Sequence, residues 1–530
     1  MGKRVAIVGA GVSGLAAARC SLLHGVTPVV FEATSDIGGL WNFKEDPKDG
    51  SSVAKNTVIN TSKEMTAFSD FVPPEEMPAF MSQSDVHRYL LAYAEHHRLR
   101  EYISFNTTVV QIQRCEDYAE SGQWLISYNT AGLESKTTEI FDGVLICTGH
   151  HSQPWRPLPL RNERIFQGRI LHSSEYRSSD SFKDKNVVVV GMGNSAVDCA
   201  VDLSSVAKKV YLATRRGTWL RPKIGPRGKP VDMQMKTRFN FYKNKVLPRF
   251  VKTFLLEREL QNRLDHTAYG ITPDHHVLSA HPTVSDELPA KIASGKVIVK
   301  PNVEGFEETS VEFDDGTIAQ NVDAVIFCTG YSYDFKILEE GRLVTVFPEN
   351  DAHLYKYMFP SKLSDHNTLA MIGYVQPWGS VFPIAEMQSR VYFSALLGDI
   401  QLPSATDMIA ELEWNRCQMS LTFVKSRRHT MEVDFVGYMD ELAGMIDVRP
   451  DIIKLLTNDP KLGWNVLFGP CTAYQYRLEG RHKWEGARDA IMNTEKRMFH
   501  PHHQSSYVLY DGLEYLLIAI VCAVFYFYIL

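Results

Sequence analysis

The run Val-Ala-Ile-Val-Gly-Ala-Gly-Val-Ser-Gly over residues 5–14 constrains this chain more than any other stretch. Residues 5–8 are apolar without interruption, as a parallel strand covered on both faces requires. They lead directly into Gly9-x-Gly11-x-x-Gly14. Gly9 suits the tight turn, Gly11 lets the backbone approach a pyrophosphate, and Gly14 lets the next helix pack closely on the strand. A helix from 15 to about 23 is expected next, its N-terminal amides aimed at the phosphates. A second strand, 28–31, ends in Glu32, where an acceptor for a ribose hydroxyl belongs. Glycine triplets alone arise by chance. Strand, turn, helix, strand and acid in this order read as a dinucleotide site.

The pattern then repeats. Residues 186–190 form an apolar strand, and Gly191-Met192-Gly193-Asn194-Ser195-Ala196 opens a helix through about 205. Ala196 replaces the third glycine and still allows close packing. The following strand, 209–213, ends in Thr214-Arg215-Arg216 rather than in an acid. A carboxylate would repel a 2′-phosphate, whereas arginine attracts it through charge-assisted hydrogen bonds worth about 1.5–3 kcal/mol each. The second site is therefore expected to take NADPH, so the chain carries two dinucleotide sites of opposite character, one acid-ended and one arginine-ended. Beside the first fingerprint, Gly38-Gly39-Leu40-Trp41 is expected to press backbone and an aromatic wall against a bulky ligand. Asn60 and Thr61 open a polar loop after a strand-like run at Val58 and Ile59.

At 530 residues the chain is too long for one core, and two or three lobes are expected. A net charge of −6 argues against nucleic acid as a partner. The eight cysteines form no CxxC pair, so neither a zinc ribbon nor a local redox dithiol is signalled, and free thiols suit a reducing compartment. No signal peptide is expected ahead of the first strand. No metal site is expected either, because His500-Pro501-His502-His503 reads as a polar linker ahead of an apolar tail.

That tail, 513–530, holds ten strongly apolar residues and one acid, Glu514, at its edge. As a helix it would rise roughly 27 Å, about the core thickness of an endoplasmic-reticulum bilayer. Its ten apolar residues favour insertion by roughly 3–6 kcal/mol, so a C-terminal membrane anchor with the catalytic body in the cytosol is expected. Residues 215–263 carry 14 Lys or Arg against 3 acids. Leu247, Phe250, Val251, Phe254 and Leu255 within them recur at helical spacing. A basic helix with an apolar face suggests docking on an anionic membrane; a helix covering the substrate cavity is the alternative.

Between the fingerprints lies Phe166-x-Gly168-x-x-x-His172-x-x-x-Tyr176. With both fingerprints, Gly38 to Trp41, Asn60 to Met65, Cys328-Thr329-Gly330-Tyr331 and the hydrophobic tail, it makes the chain resemble the eukaryotic flavin-containing monooxygenases over nearly its whole length. The resemblance implies a microsomal, NADPH- and O2-dependent flavoprotein that oxygenates soft S or N atoms of small lipophilic substrates through a C4a-hydroperoxyflavin. It also implies that Asn60, with retained NADP+, shields that species, and that Gln376 lies near the flavin ring. Baeyer–Villiger oxygenation of ketones and uncoupled production of H2O2 remain alternatives. Cys328 departs from the alanine common in the family, a difference expected to leave function unaffected. His172, judged on its own, reads as a structural histidine at the junction between lobes.

The expected fold is α/β, with two Rossmann-like dinucleotide-binding domains, a helical insertion and a C-terminal transmembrane helix. FAD is assigned to 1–154 with 331–445, through Gly9, Gly11, Gly14, Glu32, Gly39, Leu40, Trp41, Asn60, Thr61 and Gln376. NADPH is assigned to 155–213 with 296–330, through Gly191, Gly193, Asn194, Ser195, Thr214, Arg215 and Arg216. The insertion is 214–295, a helical region 446–512 and the anchor 513–530. Assembly into a homo-oligomer is left open.

Overall fold

The computed structural model describes residues 2–133, 135–427 and 429–498. Each fingerprint begins at the central strand of a five-stranded sheet, and the strands bonded to one another in both sheets run parallel. In the first sheet Arg4–Val8 lies between Thr27–Phe31 and Gly143–Ile146, with Ile103–Ser104 and Leu369–Met371 outermost. In the second, Asn186–Val190 lies between Lys209–Ala213 and Ala324–Phe327, with Val297–Lys300 and Arg169–His172 outermost. Val5, Ala6 and Ile7, like Val187, Val188 and Val189, are fully buried, as the unbroken apolar runs require.

Register aligns the ends that matter. Val8 pairs with both Phe31 and Ile146, so Gly9, Glu32 and Cys147 emerge together at one edge. Val190 pairs with both Ala213 and Phe327, so Gly191, Thr214 and Cys328 do the same. Ligands of open parallel sheets bind outside such carboxyl ends.

The helix after the first fingerprint, Val12–Leu23, packs on the mostly buried helix Val381–Leu396. A three-stranded antiparallel sheet, Thr107–Arg114, Trp124–Thr130 and Thr137–Phe141, is inserted beside it. Ser82 caps Gln83–His96 through a reciprocal capping box with Asp85. The strand-like run at Val58 and Ile59 yields only a bridge from Val58 to Ser82 and then a short helix, Lys63–Thr66.

The basic insertion departs from expectation in two ways. Its apolar stripe does not start at Leu247, because Pro248 disfavours helical backbone at the residue before it. Leu247 is extended, between helices Arg238–Val246 and Arg249–Arg263. Part of the positive charge is also answered by acids elsewhere in the chain. Arg238 is buried against Asp440, Arg263 meets Asp286 at 2.9 Å and Lys229 meets Glu495 at 3.2 Å. What stays open is an apolar stripe beside cations: Val246 is 84% exposed, Phe250 75% and Phe254 61%, and Lys243, Lys245 and Arg258 are exposed as well. Among the described residues no helix is long and apolar enough to cross a membrane. The expected anchor, 513–530, lies outside the described residues, as does the His500 to His503 run.

Candidate functional site

A cavity of about 850 Å3 is lined by both sheet domains. Leu40, Trp41 and Gln376 reach it from the first, and Gly193, Asn194, Ser195, Arg215 and Arg216 from the second. Gly9, Gly11, Gly14, Glu32, Gly39, Asn60, Thr61, Gly191 and Thr214 do not line it; most of them build the turns around it.

Gly9 and Gly191 take φ of +103° and +126°, a backbone open to glycine. A Cβ on them would lie 2.8 Å from Cys147 O and 2.7 Å from Cys328 O respectively. Each turn is thus wedged against the neighbouring strand end. Gly11 and Gly39 face each other so closely that a Cβ on Gly39 would stand 3.2 Å from Gly11 Cα. The Gly38-Gly39 pair therefore packs backbone on backbone beside the first turn, and only Leu40 and Trp41 continue to the cavity wall. Neither Gly11 nor Gly193 caps its helix with a side chain, and neither first turn carries an acid. Two helix starts with uncapped amides suit phosphate.

Glu32 is buried. Its Oε2 accepts from Ala10 N at 2.8 Å, and its Oε1 accepts from Thr34 N at 2.9 Å and Thr34 Oγ1 at 2.7 Å. It pins the fingerprint turn to its own strand end, and a carboxylate has further lone pairs for a ribose hydroxyl. In the second sheet the register sets Thr214 opposite this position, and its Oγ1 accepts from Gly217 N at 3.0 Å. The two arginines that follow differ. Arg216 sits 3.6 Å from Asp274, whereas Arg215, exposed at the cavity, has no hydrogen bond or ion pair among the described residues. An unpaired guanidinium beside an uncapped helix start fits a 2′-phosphate.

Asn60 Oδ1 is buried without a hydrogen-bond partner among the described residues. Such an atom is costly to leave unmet, and it fits an amide that serves a bound group. Thr61 is committed elsewhere, its hydroxyl 2.8 Å from that of Thr66. Ser62 ties the same loop to the basic insertion, both its N and its Oγ donating to Asp232 Oδ2, at 2.7 and 3.0 Å. These donors and glycine turns fit FAD at the first fingerprint and NADPH at the second.

Some wall residues carry no motif. Asn56 donates to Asp202 Oδ1 at 3.0 Å and Tyr176 to Asp202 Oδ2 at 2.5 Å, a latch between a first-domain loop and the second-domain helix. Asp198 lies one turn earlier on that helix, and burial, opposed by Lys223, pushes its carboxyl up to about 6. The four-residue spacing of Asp198 and Asp202 on a helix was the available signal. Burial pulls the His150 imidazole down to about 4, so that ring is uncharged at neutral pH. His172 Nδ1 accepts from Ser174 N at 3.1 Å, which leaves its Nε2 to donate to Gly330 O at 3.0 Å. It is a structural group joining two strand ends.

A profile of the flavin-binding monooxygenase-like family matches residues 2–527. Flavin-containing monooxygenase 5 of Oryctolagus cuniculus is 43% identical over 502 residues, 94% of this chain and 93% of its own length. Dimethylaniline monooxygenase (N-oxide-forming) 2 of Mus musculus is 42% identical over 504 residues, with the same coverage. Among solved structures, the S-allyl-L-cysteine S-oxygenase of Allium sativum is similar, with a TM-score of 0.64 at 23% identity, covering 94% of this chain and 99% of that one.

Proposed function

The chain belongs to the flavin-binding monooxygenase family, and from there we propose that its substrates are small lipophilic molecules bearing a soft sulfur or nitrogen. It is an NADPH-dependent flavoprotein monooxygenase using FAD and O2. FAD, when bound, supplies the redox centre that accepts hydride and activates dioxygen. For a thioether the balance is one thioether, one dioxygen, one NADPH and one proton giving one sulfoxide, one water and one NADP+.

The chain's own groups divide the remaining work. Gly9, Gly11 and Gly14 with the helix start at Gly11 hold the FAD pyrophosphate, and Glu32 takes its ribose hydroxyl. Leu40, Trp41, Gly39 and Gln376 bound it, and Thr61 fixes the loop that carries Asn60. Gly191, Gly193, Asn194 and Ser195 receive the NADPH phosphates, Thr214 sets the turn, and Arg215, seconded by Arg216, pairs with the 2′-phosphate. Asn60 is the catalytic amide, orienting the oxygen-transfer site without offering a proton of low pKa. The observation that carries this reading is the meeting at one cavity of Leu40, Trp41 and Gln376 from the first domain with the second fingerprint's Gly193, Asn194 and Ser195 and an Arg215 that has no partner among the described residues.

The enzyme docks on the endoplasmic-reticulum membrane with its catalytic body on the cytosolic side. The exposed Val246, Phe250 and Phe254 stripe, flanked by Lys243, Lys245 and Arg258, supports this. The relatives' printed names, one N-oxide-forming and one an S-oxygenase, agree with soft-nucleophile chemistry. The test is product analysis with the full-length enzyme, NADPH and O2. Thioether and tertiary amine should yield sulfoxide and N-oxide. Conversion of a cyclic ketone to lactone with the thioether untouched would overturn the substrate assignment.

A further inference from the structure

Seven free cysteines fall in the described residues, and two of them come to one place: Cys328 packs against the apolar cluster that holds Cys199. They are far apart in sequence. The strand order brings Cys328, at the end of Ala324–Phe327, beside the helix Asn194–Leu203 that carries Cys199. The Cys328 amide donates to Val190 O at 2.8 Å, and a Cβ on Gly191 would stand 3.5 Å from Cys328 Cβ. Both cysteines line the cavity, Cys199 buried and Cys328 half-exposed. The first domain holds no such pair. Its matching strand end carries Cys147, but the eighth residue after its first fingerprint glycine is Ala17, where the second domain has Cys199.

We propose that Cys199 and Cys328 are a redox-modified pair: hydrogen peroxide reaching the cavity converts them to a disulfide that hinders NADPH binding, and thiols reverse it. Peroxide is what dioxygen becomes when a flavoprotein oxygenase reduces it without transferring oxygen, so the oxidant arises beside these sulfurs. The Cys328 thiolate attacks one peroxide oxygen; an S–O bond forms, the O–O bond breaks and hydroxide leaves. The Cys199 sulfur then attacks that sulfenic sulfur; the S–S bond forms, the S–O bond breaks, and water leaves with the proton from Cys199. Two thiols lose two electrons, and one peroxide becomes two waters.

Cys328 is the first to react because it opens to the cavity. The neighbouring Cys328 thiol, and then burial, push the Cys199 thiol well up, so Cys199 is the weaker nucleophile, reacts second and makes the lock slow. The bond requires Cβ atoms about 3.8 Å apart. It would tie the helix that opens at Gly193 to the strand end beside the Gly191 turn, where a Cβ would already stand 2.7 Å from Cys328 O, and so fix the amides at the helix start. The effect on NADPH rests on the assignment of the second fingerprint to that cofactor.

The test uses the full-length, FAD-loaded enzyme treated with H2O2, quenched with an alkylating agent and digested without reductant. A peptide cross-linked through Cys199 and Cys328 is expected, with a KM for NADPH raised about tenfold and restored by dithiothreitol. Cys199→Ala, which installs the first domain's residue at this position, should show neither the cross-link nor the reversible rise. Both cysteines recovered as alkylated thiols, or Cys328 oxidised to sulfinic acid without a cross-link, overturns the proposal. So does a cross-link that leaves the NADPH KM unmoved. Reduced Arg215→Ala separates the two readings: an unchanged cofactor preference there, with the cross-link still forming, marks failure of the NADPH assignment and not of the disulfide.

Discussion

Replacing Arg215 with alanine tests the division of cofactors most directly. Arg215 is a cation at the cavity with no partner among the described residues, so its removal breaks no ion pair there. The loss therefore reads the cofactor contact alone. A hydrogen bond between charged groups contributes about 1.5–3 kcal/mol, or about 10- to 150-fold in an equilibrium. Because the side chain is exposed, water and salt screen it and the lower part of that range applies. Arg215→Ala should thus lower kcat/KM for NADPH by about 10- to 30-fold, raising KM far more than it lowers kcat. The NADH value should stay within about twofold, since NADH has no 2′-phosphate. Arg216→Ala should act more weakly, because that guanidinium already faces Asp274 at 3.6 Å. Steady-state rates with both reduced nucleotides, at two ionic strengths, give the ratio and its screening. An unchanged NADPH/NADH ratio in Arg215→Ala, or an equal loss with both nucleotides, would refute the reasoning.

Asn60→Ala should keep NADPH consumption while diverting oxygen to H2O2; because Asn60 Oδ1 has no partner among the described residues, unfolding should shift little, and full coupling measured by product against NADPH would reject the role. Glu32→Ala should lower retained FAD, read by flavin absorbance, and cost about 1–3 kcal/mol through the unmet amides of Ala10 and Thr34. Glu386→Ala should cost about 3–5 kcal/mol in urea unfolding, because it strands buried Arg477, which donates to it at 2.6 Å. Asp198 supplies the pH dependence. Its folded pKa of about 6 exceeds the ordinary 3.8, so the folded state holds its proton more tightly and its ionisation opposes stability as pH rises through that window. The same ionisation adds a like charge near NADPH, so KM for NADPH should fall below pH 6 in the wild type more than in Asp198→Asn. That difference, in parallel titrations, removes the contribution of the cofactor's own phosphate.

What could be read without coordinates was what short range dictates. Residues 5–14 and 186–196 carry their strand, turn and helix within one local pattern, and both appear with ends within a few residues of expectation. The helix broken at Pro248 shows the limit of periodicity: the spacing of Leu247 with Phe250 and Phe254 was helical, but backbone sterics before proline excluded Leu247. Charge was legible only in part, for a different reason. The excess in 215–263 suggested a basic face for an anionic membrane, and Lys243, Lys245 and Arg258 do stay exposed, yet Arg238, Arg263 and Lys229 meet acids at Asp440, Asp286 and Glu495. Partners that distant leave no mark in a local count. The cysteines repeat the lesson, since the absence of CxxC excluded a dithiol only along the chain.

The two sheets share the arrangement of the fingerprint strand and its two neighbours and one register at the ligand edge, though their outer strands differ, so differences at that edge can be assigned to chemistry rather than to scaffold. At the strand end after the first fingerprint stands a buried carboxylate that braces its own turn through Ala10 N. At the matching place stands Thr214, which braces only the loop ahead, and the charge moves one residue on to Arg215, exposed and unpaired among the described residues. A group locked into the fold suits a cofactor that stays bound; a free cation at a cavity suits one that comes and goes. The same comparison separates Cys147, buried opposite Ala17, from Cys328, which opens to the cavity beside Cys199. Permanence on one side and exchange on the other is the division a hydride relay between two nucleotide sites requires, and the duplicated frame makes it testable residue against residue.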